Sequence, residues 1–138
     1  MILIEPAPER LDAEGLRSRL DTEGCGSIVS FVGLTRGEAE GETVLHLEFD
    51  AWKEQLPIVL HELARQAIAE FGVSAVGMSH RTGTVLAGED IVCIHVGSKH
   101  RKEGFAACSW LIDALKSQAP LWKKEVRSSG AHWKEGLG

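Results

Sequence analysis

The sequence predicts a single α+β domain, spanning 1–138, in which a largely antiparallel sheet forms a sandwich with two long helices on one face. Three observations lead there. Two segments repeat apolar residues at three- and four-residue steps, as helices with one buried stripe do. Several β-branched, apolar runs of strand length are bounded by glycine or proline. No repeat, low-complexity tract or linker divides the 138 residues, and 43% apolar content suffices for one buried core.

The elements follow in order. Met1 to Glu5 reads as a short strand stopped by Pro6 and Pro8. Asp12 is placed to cap a helix from Ala13 to about Leu20, with Leu16 and Leu20 facing inward. Gly24 and Gly26 introduce a buried strand, Ser27 to Val32, which ends at Gly33. Leu34 to Glu42 reads as a polar loop, and Thr43 to Trp52 as a strand with Val44, Leu45, Leu47 and Phe49 apolar. The first long helix carries Leu56, Val59, Leu60, Leu63, Ala67, Ile68 and Phe71, and Gly72 is placed to end it. Strands at Val73–Arg81 and Asp90–Ser98 follow, joined by a loop containing Gly83 and Gly88. The second long helix runs from His100 to about Ser117 on Phe105, Cys108, Leu111, Ile112 and Leu115. Pro120 breaks it, and Leu121 to Val126 reads as a last short strand.

Composition narrows the function. No apolar stretch approaches the roughly 18 residues of a membrane span. Met1 to Pro6 carries no basic, signal-like start, so the expectation is a cytoplasmic protein with Cys25, Cys93 and Cys108 as reduced thiols. Net charge is −5, yet residues 99–127 hold seven Lys/Arg against three acids, a balance of +4 that leaves −9 elsewhere. A basic patch on an acidic chain suits a small anion better than long nucleic acid, although a solvated helix face would look the same from charge alone.

Three segments could carry chemistry. Ser98-Lys-His-Arg-Lys102 lies where a buried strand turns into a helix. Cations are unfavourable in a helix's first turn, so Lys99, Arg101 and Lys102 suggest a bound anion there; the alternative is a helix start whose side chains are simply solvated. Lys116 falls about 80° from Cys108 on the helical wheel, bordering the apolar stripe, with Arg101 at about 20°. Desolvation there would suit acid–base work, whereas snorkelling is the commoner outcome on the residues alone. If Leu121 to Val126 is extended, Lys123 and Glu125 share one face and Trp122 and Lys124 the other, which an amphipathic edge strand would also give. His95 reads as a hydrogen-bonded interior histidine. His46, His61 and His80 are isolated and lack metal-ligand spacing, so no metal and no cofactor are expected. Cys93 and Cys108 read as buried small hydrophobes.

Five segments together resemble the molybdopterin synthase large-subunit family. They are Gly26-Ser-Ile-Val-Ser-Phe-Val-Gly-Leu-Thr-Arg36, Leu47-Glu-Phe-Asp-Ala-Trp52, His80-Arg-Thr-Gly83, Ser98-Lys-His-Arg101 and Leu115-Lys-Ser-Gln-Ala-Pro-Leu-Trp-Lys-Lys-Glu125. They stand in the family's order and cover most of the chain from about Cys25. The resemblance implies a sulfurtransferase of molybdenum-cofactor biosynthesis, converting cyclic pyranopterin monophosphate to molybdopterin. It implies a homodimer, and a heterotetramer with a small β-grasp subunit whose C-terminal Gly-Gly thiocarboxylate supplies the sulfur. By the same resemblance Lys116 and Lys123 are catalytic, while Leu34, Thr35, Arg36, His100, Arg101, Lys116, Lys123, Lys124 and Glu125 bind substrate. The expectation is that His100, Arg101 and Lys116 meet in one pocket, although about 22 Å of helix separates the last two at 1.5 Å per residue. The segment Gly37 to Glu42 is more acidic than the family's loops, and Phe49 and Trp52 stand where members often carry tyrosine. The rival readings are a non-catalytic anion-binding or docking module of the same fold and a small RNA-binding domain, which the acidic balance disfavours.

Overall fold

The computed structural model describes residues 1–137. In chain order the elements are β1 (Ile2–Ala7), α1 (Ala13–Arg19), β2 (Ser27–Leu34), β3 (Glu38–Ala39), β4 (Glu42–Ala51), α2 (Leu56–Phe71), β5 (Ala75–Arg81), β6 (Gly83–Leu86), β7 (Asp90–Ser98), α3 (Arg101–Gln118), β8 (Leu121–Arg127) and β9 (Gly130–Trp133). The fold is the expected α+β class, mostly antiparallel, with the two long helices on one face.

The strands divide into two sheets. The first has the order β1-β5-β7-β2, and only its β1–β5 pairing is parallel. The second runs β3-β4-β8-β9, with β6 also paired to β4.

Strand alternation sorts the first sheet's side chains. Val76 and Met78 of β5, and Val92, Ile94 and Val96 of β7, join Leu60, Leu63, Leu111 and Leu115 in the main core beneath α2 and α3. The intervening residues meet α1 on the opposite face, where Cys93 packs with Leu11 and Leu16. Asp12 caps α1, its Oδ1 accepting from the Gly15 N–H at 3.0 Å. His95 belongs to this second face. Its Nε2 donates to the Ala13 carbonyl at 2.8 Å and its Nδ1 accepts from the Ser30 hydroxyl at 2.7 Å, which satisfies the ring in place. Gly72, at φ 70°, ends α2 in the left-handed region and donates its N–H to the Ile68 carbonyl.

The sheets join at a one-residue elbow, Thr82, between β5 and β6. The Arg81 side chain is buried there, with Nε donating to the Ala7 carbonyl at 3.0 Å and Nη2 to the Thr84 carbonyl at 2.9 Å. Gly83 follows at φ 80°, a conformation that costs glycine little.

Three short strands lie where the sequence offers no pattern. β6 falls in the segment read as a loop and buries only Val85. β3 sits inside the polar loop, and β9 is mostly exposed. One buried residue in four is too few to show a period of two. Phe105 is a correction: it is 61% exposed. The helix meets the sheet through Gly104, Ala107, Cys108, Leu111 and Leu115, a stripe centred on the other side of Cys108.

That stripe makes Gly104 a contact position. A Cβ there would lie 2.7 Å from Ser98 Oγ and 3.1 Å from Val29 Cγ2. Gly104→Ala should therefore cost about 1–3 kcal/mol by denaturant unfolding, against the gain of about 1 kcal/mol expected for alanine in an open helix interior. An unchanged or raised midpoint would contradict this packing.

Candidate active site

A cavity of about 540 Å³ opens between the two sheets and the last turns of α3. The first sheet contributes Phe31 to Leu34, His80, Ile91 and Val92 to its wall. The second contributes Val44, Leu47, Phe49, Lys123 and Glu125. Arg36 reaches it from the loop after β2, and Ile112, Leu115 and Lys116 from α3. Leu137 closes one side and also packs against both hydrophobic clusters that flank the cavity.

The β8 alternation supplies the chemistry of the second wall. Lys123 pairs across from Phe49 and Glu125 from Leu47. Phe49 and Leu47 are buried, so this face of the strand looks inward. Lys123 is half-buried, and its Nζ donates to the Leu137 carbonyl at 3.3 Å. Desolvation lowers its pKa; the charges of Lys116, Lys134 and Arg36 push the same way, and Glu125 opposes them. Three cations thus act on one amine.

Glu125 is held by Arg127. Burial alone would raise this carboxyl, but the hydrogen bond and charge of Arg127 outweigh it and hold the acid below the usual range. The Arg127 side chain, itself buried, also pairs with Glu40 at 3.1 Å and Glu42 at 3.5 Å. The acidic segment noted in the sequence therefore serves as the counter-charge of a buried arginine.

Other expected site residues fall elsewhere. His100, Arg101, Lys99 and Lys102 line a separate depression of about 440 Å³ with Gly26 and Ser27. Within one chain they do not meet Lys116, because α3 carries the two groups at its opposite ends. Glu103 accepts the His100 N–H at 2.7 Å and answers part of the charge mismatch at that helix start. Lys124 occupies the outer face of β8, where it bridges to Glu48 at 2.7 Å and lies 5.3 Å from the centre of the Trp133 ring. Trp122 shares that face and is 54% exposed. Thr35 is buried outside the cavity lining, bonded through its backbone to Glu89 and Gly88.

Burial pushes the Cys93 thiol up to about 12 and the Cys108 thiol up to about 11, so neither supplies a thiolate near neutral pH. Among the described residues, no group of three or more His, Cys, Asp or Glu is arranged to hold a metal ion. His80, set aside in the sequence as isolated, is a wall residue of the cavity. Its strand parity with Val76 and Met78 was the available signal.

Comparisons with known proteins agree with this architecture. A family model described as MoaE protein matches residues 7–118. A molybdopterin synthase catalytic subunit from Arabidopsis thaliana is 41% identical over 110 residues, which are 80% of this chain and 56% of that protein. One from Pyrococcus abyssi is 33% identical over 129 residues, 94% of this chain and 87% of that protein. The crystal structure of molybdopterin synthase from Staphylococcus aureus matches with a TM-score of 0.90 at 27% identity, covering 95% of this chain and 96% of that one.

The buried His80 makes stability depend on pH. Burial first, then the charge of Lys123, lowers its pKa to about 4 against a backbone hydrogen bond that raises it. An unfolded histidine titrates near 6.5. The unfolded chain therefore takes up this proton first as the solution is acidified. The contribution is complete above about pH 6.5 and is lost between there and about pH 4, up to about 3 kcal/mol in all. His80→Gln should flatten that part of the stability curve in chemical denaturation at stepped pH; an identical slope in the variant would count against the assignment.

Proposed function

The chain belongs to the MoaE protein family, and on that premise we propose that it is the catalytic large subunit of a molybdopterin synthase. It transfers sulfur to cyclic pyranopterin monophosphate from the C-terminal thiocarboxylate of a small β-grasp partner, yielding molybdopterin. The observation that carries this reading is the convergence of Arg36, Lys116 and the half-buried Lys123 on one cavity. Both the phosphorylated substrate and the partner's tail are anionic, and three cations in a partly desolvated space favour both.

The chemistry assigned to the site is attack of the thiocarboxylate sulfur on the pterin side chain, loss of water, and hydrolysis of the acyl link to the partner. Two rounds build the dithiolene. Lys116 acts as general acid/base or stabilises developing charge, and Lys123 assists. The lowered pKa of Lys123 supports proton transfer, because it raises the neutral fraction near pH 7. The raised thiol pKa values of Cys93 and Cys108 support a sulfur that arrives from outside. Arg36, His100 and Arg101 hold phosphate or pterin oxygens, with Leu34 and Glu125 in supporting contacts, whereas Thr35 and Lys124 lie outside the cavity. The reaction belongs to the cytoplasm, where the thiols stay reduced.

Assembly is part of the same proposal. The working form is a homodimer, carrying one small subunit on each large one. For one substrate to touch both basic sites, a second copy has to bring its His100 and Arg101 to the Lys116 cavity. Mixing Lys116→Ala with Arg101→Ala protein should then restore part of the activity that each lacks alone. No recovery, with mixed dimers verified by native mass spectrometry, would confine the site to a single chain.

Lys116 is tested directly by supplying a thiocarboxylated small subunit and the pterin precursor and measuring molybdopterin. Lys116→Ala should slow product formation roughly 100-fold or more, with the melt changed little. Lys116→Arg keeps the charge but alters pKa and shape. Nearly complete loss in the arginine variant assigns proton transfer, whereas retained activity assigns charge attraction. Normal turnover in both would remove Lys116 from the mechanism and leave Lys123.

A further inference from the structure

The side chains of the basic cavity are unbalanced in their hydrogen-bonding chemistry. Arg36, Lys116 and Lys123 are donors only. Glu125 and the exposed Glu38 can accept, but one Glu125 oxygen is engaged by Arg127 and both groups are carboxylates. A phosphorylated heterocycle brings both kinds of group: phosphate oxygens that accept, and ring or amino N–H and hydroxyl groups that donate. The cations satisfy the first kind, and the second is best met by a neutral acceptor, which does not repel the phosphate as a carboxylate would.

His80 has the geometry of that acceptor. It is the penultimate residue of β5, 4% exposed, and forms part of the cavity wall. Its Nδ1 lies 2.7 Å from the Arg81 carbonyl. A carbonyl can only accept, so Nδ1 carries the hydrogen and Nε2 is left with its lone pair. The ring is held edge-on to Phe49, with centroids 5.1 Å apart and an interplanar angle of 80°. Nε2 makes no hydrogen bond to any described residue. Nor is it sealed in the core, since Thr35 Oγ1 is the one fully buried, unpartnered side-chain polar atom among the described residues. The same ring borders a second, apolar cavity of about 210 Å³ beside Leu56 and Leu60, so it stands between two spaces of opposite character.

We propose that Nε2 of His80 accepts a hydrogen bond from an N–H or O–H donor of the heterocycle bound in the basic cavity, and so orients the ring while Arg36, Lys116 and Lys123 hold its anionic end. This rests on the reading of the cavity as a site for a phosphorylated pterin. Burial keeps the imidazole neutral at pH 7, which a fixed acceptor near Lys123 requires. Protonation would turn it into a fourth donor. The bland alternative is a purely structural ring whose only duty is its bond to Arg81.

Two substitutions separate these roles. His80→Asn can keep an N–H near the position of Nδ1 and removes the acceptor at Nε2. His80→Gln can reach the position of Nε2 with its carbonyl and gives up the Arg81 bond. Calorimetry at pH 7 with the pterin monophosphate precursor and, separately, with inorganic phosphate reads both. His80→Asn should bind the precursor about tenfold more weakly, as for one lost buried hydrogen bond, with phosphate affinity unchanged within twofold. His80→Gln should recover most of the precursor affinity. Equal loss for both ligands, wild-type affinity in His80→Asn, or better binding by His80→Asn than by His80→Gln would overturn the proposal. Should the melt show that His80→Asn does not fold, a folded His80→Gln with a tenfold loss for the precursor would overturn it as well. Wild-type protein that binds phosphate but not the precursor would sink the pterin reading and this inference with it. Precursor binding that ignores His80 would sink the inference alone.

Discussion

The fold turns on a buried cation with no carboxylate partner among the described residues. Arg81 spreads its guanidinium over the carbonyls of Ala7, Pro8, Thr82 and Thr84. Those carbonyls belong to the end of β1, the segment after it, the elbow and the start of β6, so one side chain ties the edge of the first sheet to the beginning of the second. A planar fork with five donors suits this task, and a lysine would meet fewer carbonyls. With Thr82 as the only residue between the strands, the angle between the sheets is set at this point. The cavity lies between those sheets, so its walls inherit their spacing from the Arg81 contacts.

A second buried arginine does for the site what Arg81 does for the fold. Arg127 draws Glu125, Glu40 and Glu42 together. This ties Glu40 and Glu42 of the acidic segment after Arg36 to β8. The charge imbalance seen in the sequence becomes, in three dimensions, a wall that carries Arg36, Lys116 and Lys123 beside carboxylates gathered on Arg127.

Much of this was legible in the residues. The apolar steps of α2, its stop at Gly72 and the break at Pro120 are local signals, and local signals survive folding. The division of β8 into a Lys123–Glu125 face and a Trp122–Lys124 face follows from alternation alone. Other features depend on what lies across a gap. β6 has one buried residue and exists because β4 offers it an edge. Phe105 looked like core until Gly104 and Ala107 brought the helix backbone against the sheet. The separation of Arg101 from Lys116 was implicit in the length of α3, yet the shared basic character of the two sites masked it. His80 looked isolated because its neighbours in space, Phe49 and Lys123, come from other parts of the chain.

The alternation of β8 has a further consequence. Lys123 and Lys124 are adjacent and chemically identical, yet one looks into the cavity and the other lies on Trp133. Which of them enters is a question of parity. Adding or deleting one residue between Pro120 and Trp122 would exchange the two lysines at constant composition, and would send Glu125 outward, away from Arg127. The shift between Val44 and His46 in the pairing with β4, and the β8–β9 pairing, fix the count. An even-or-odd choice made by backbone hydrogen bonds thus decides which amine the site contains.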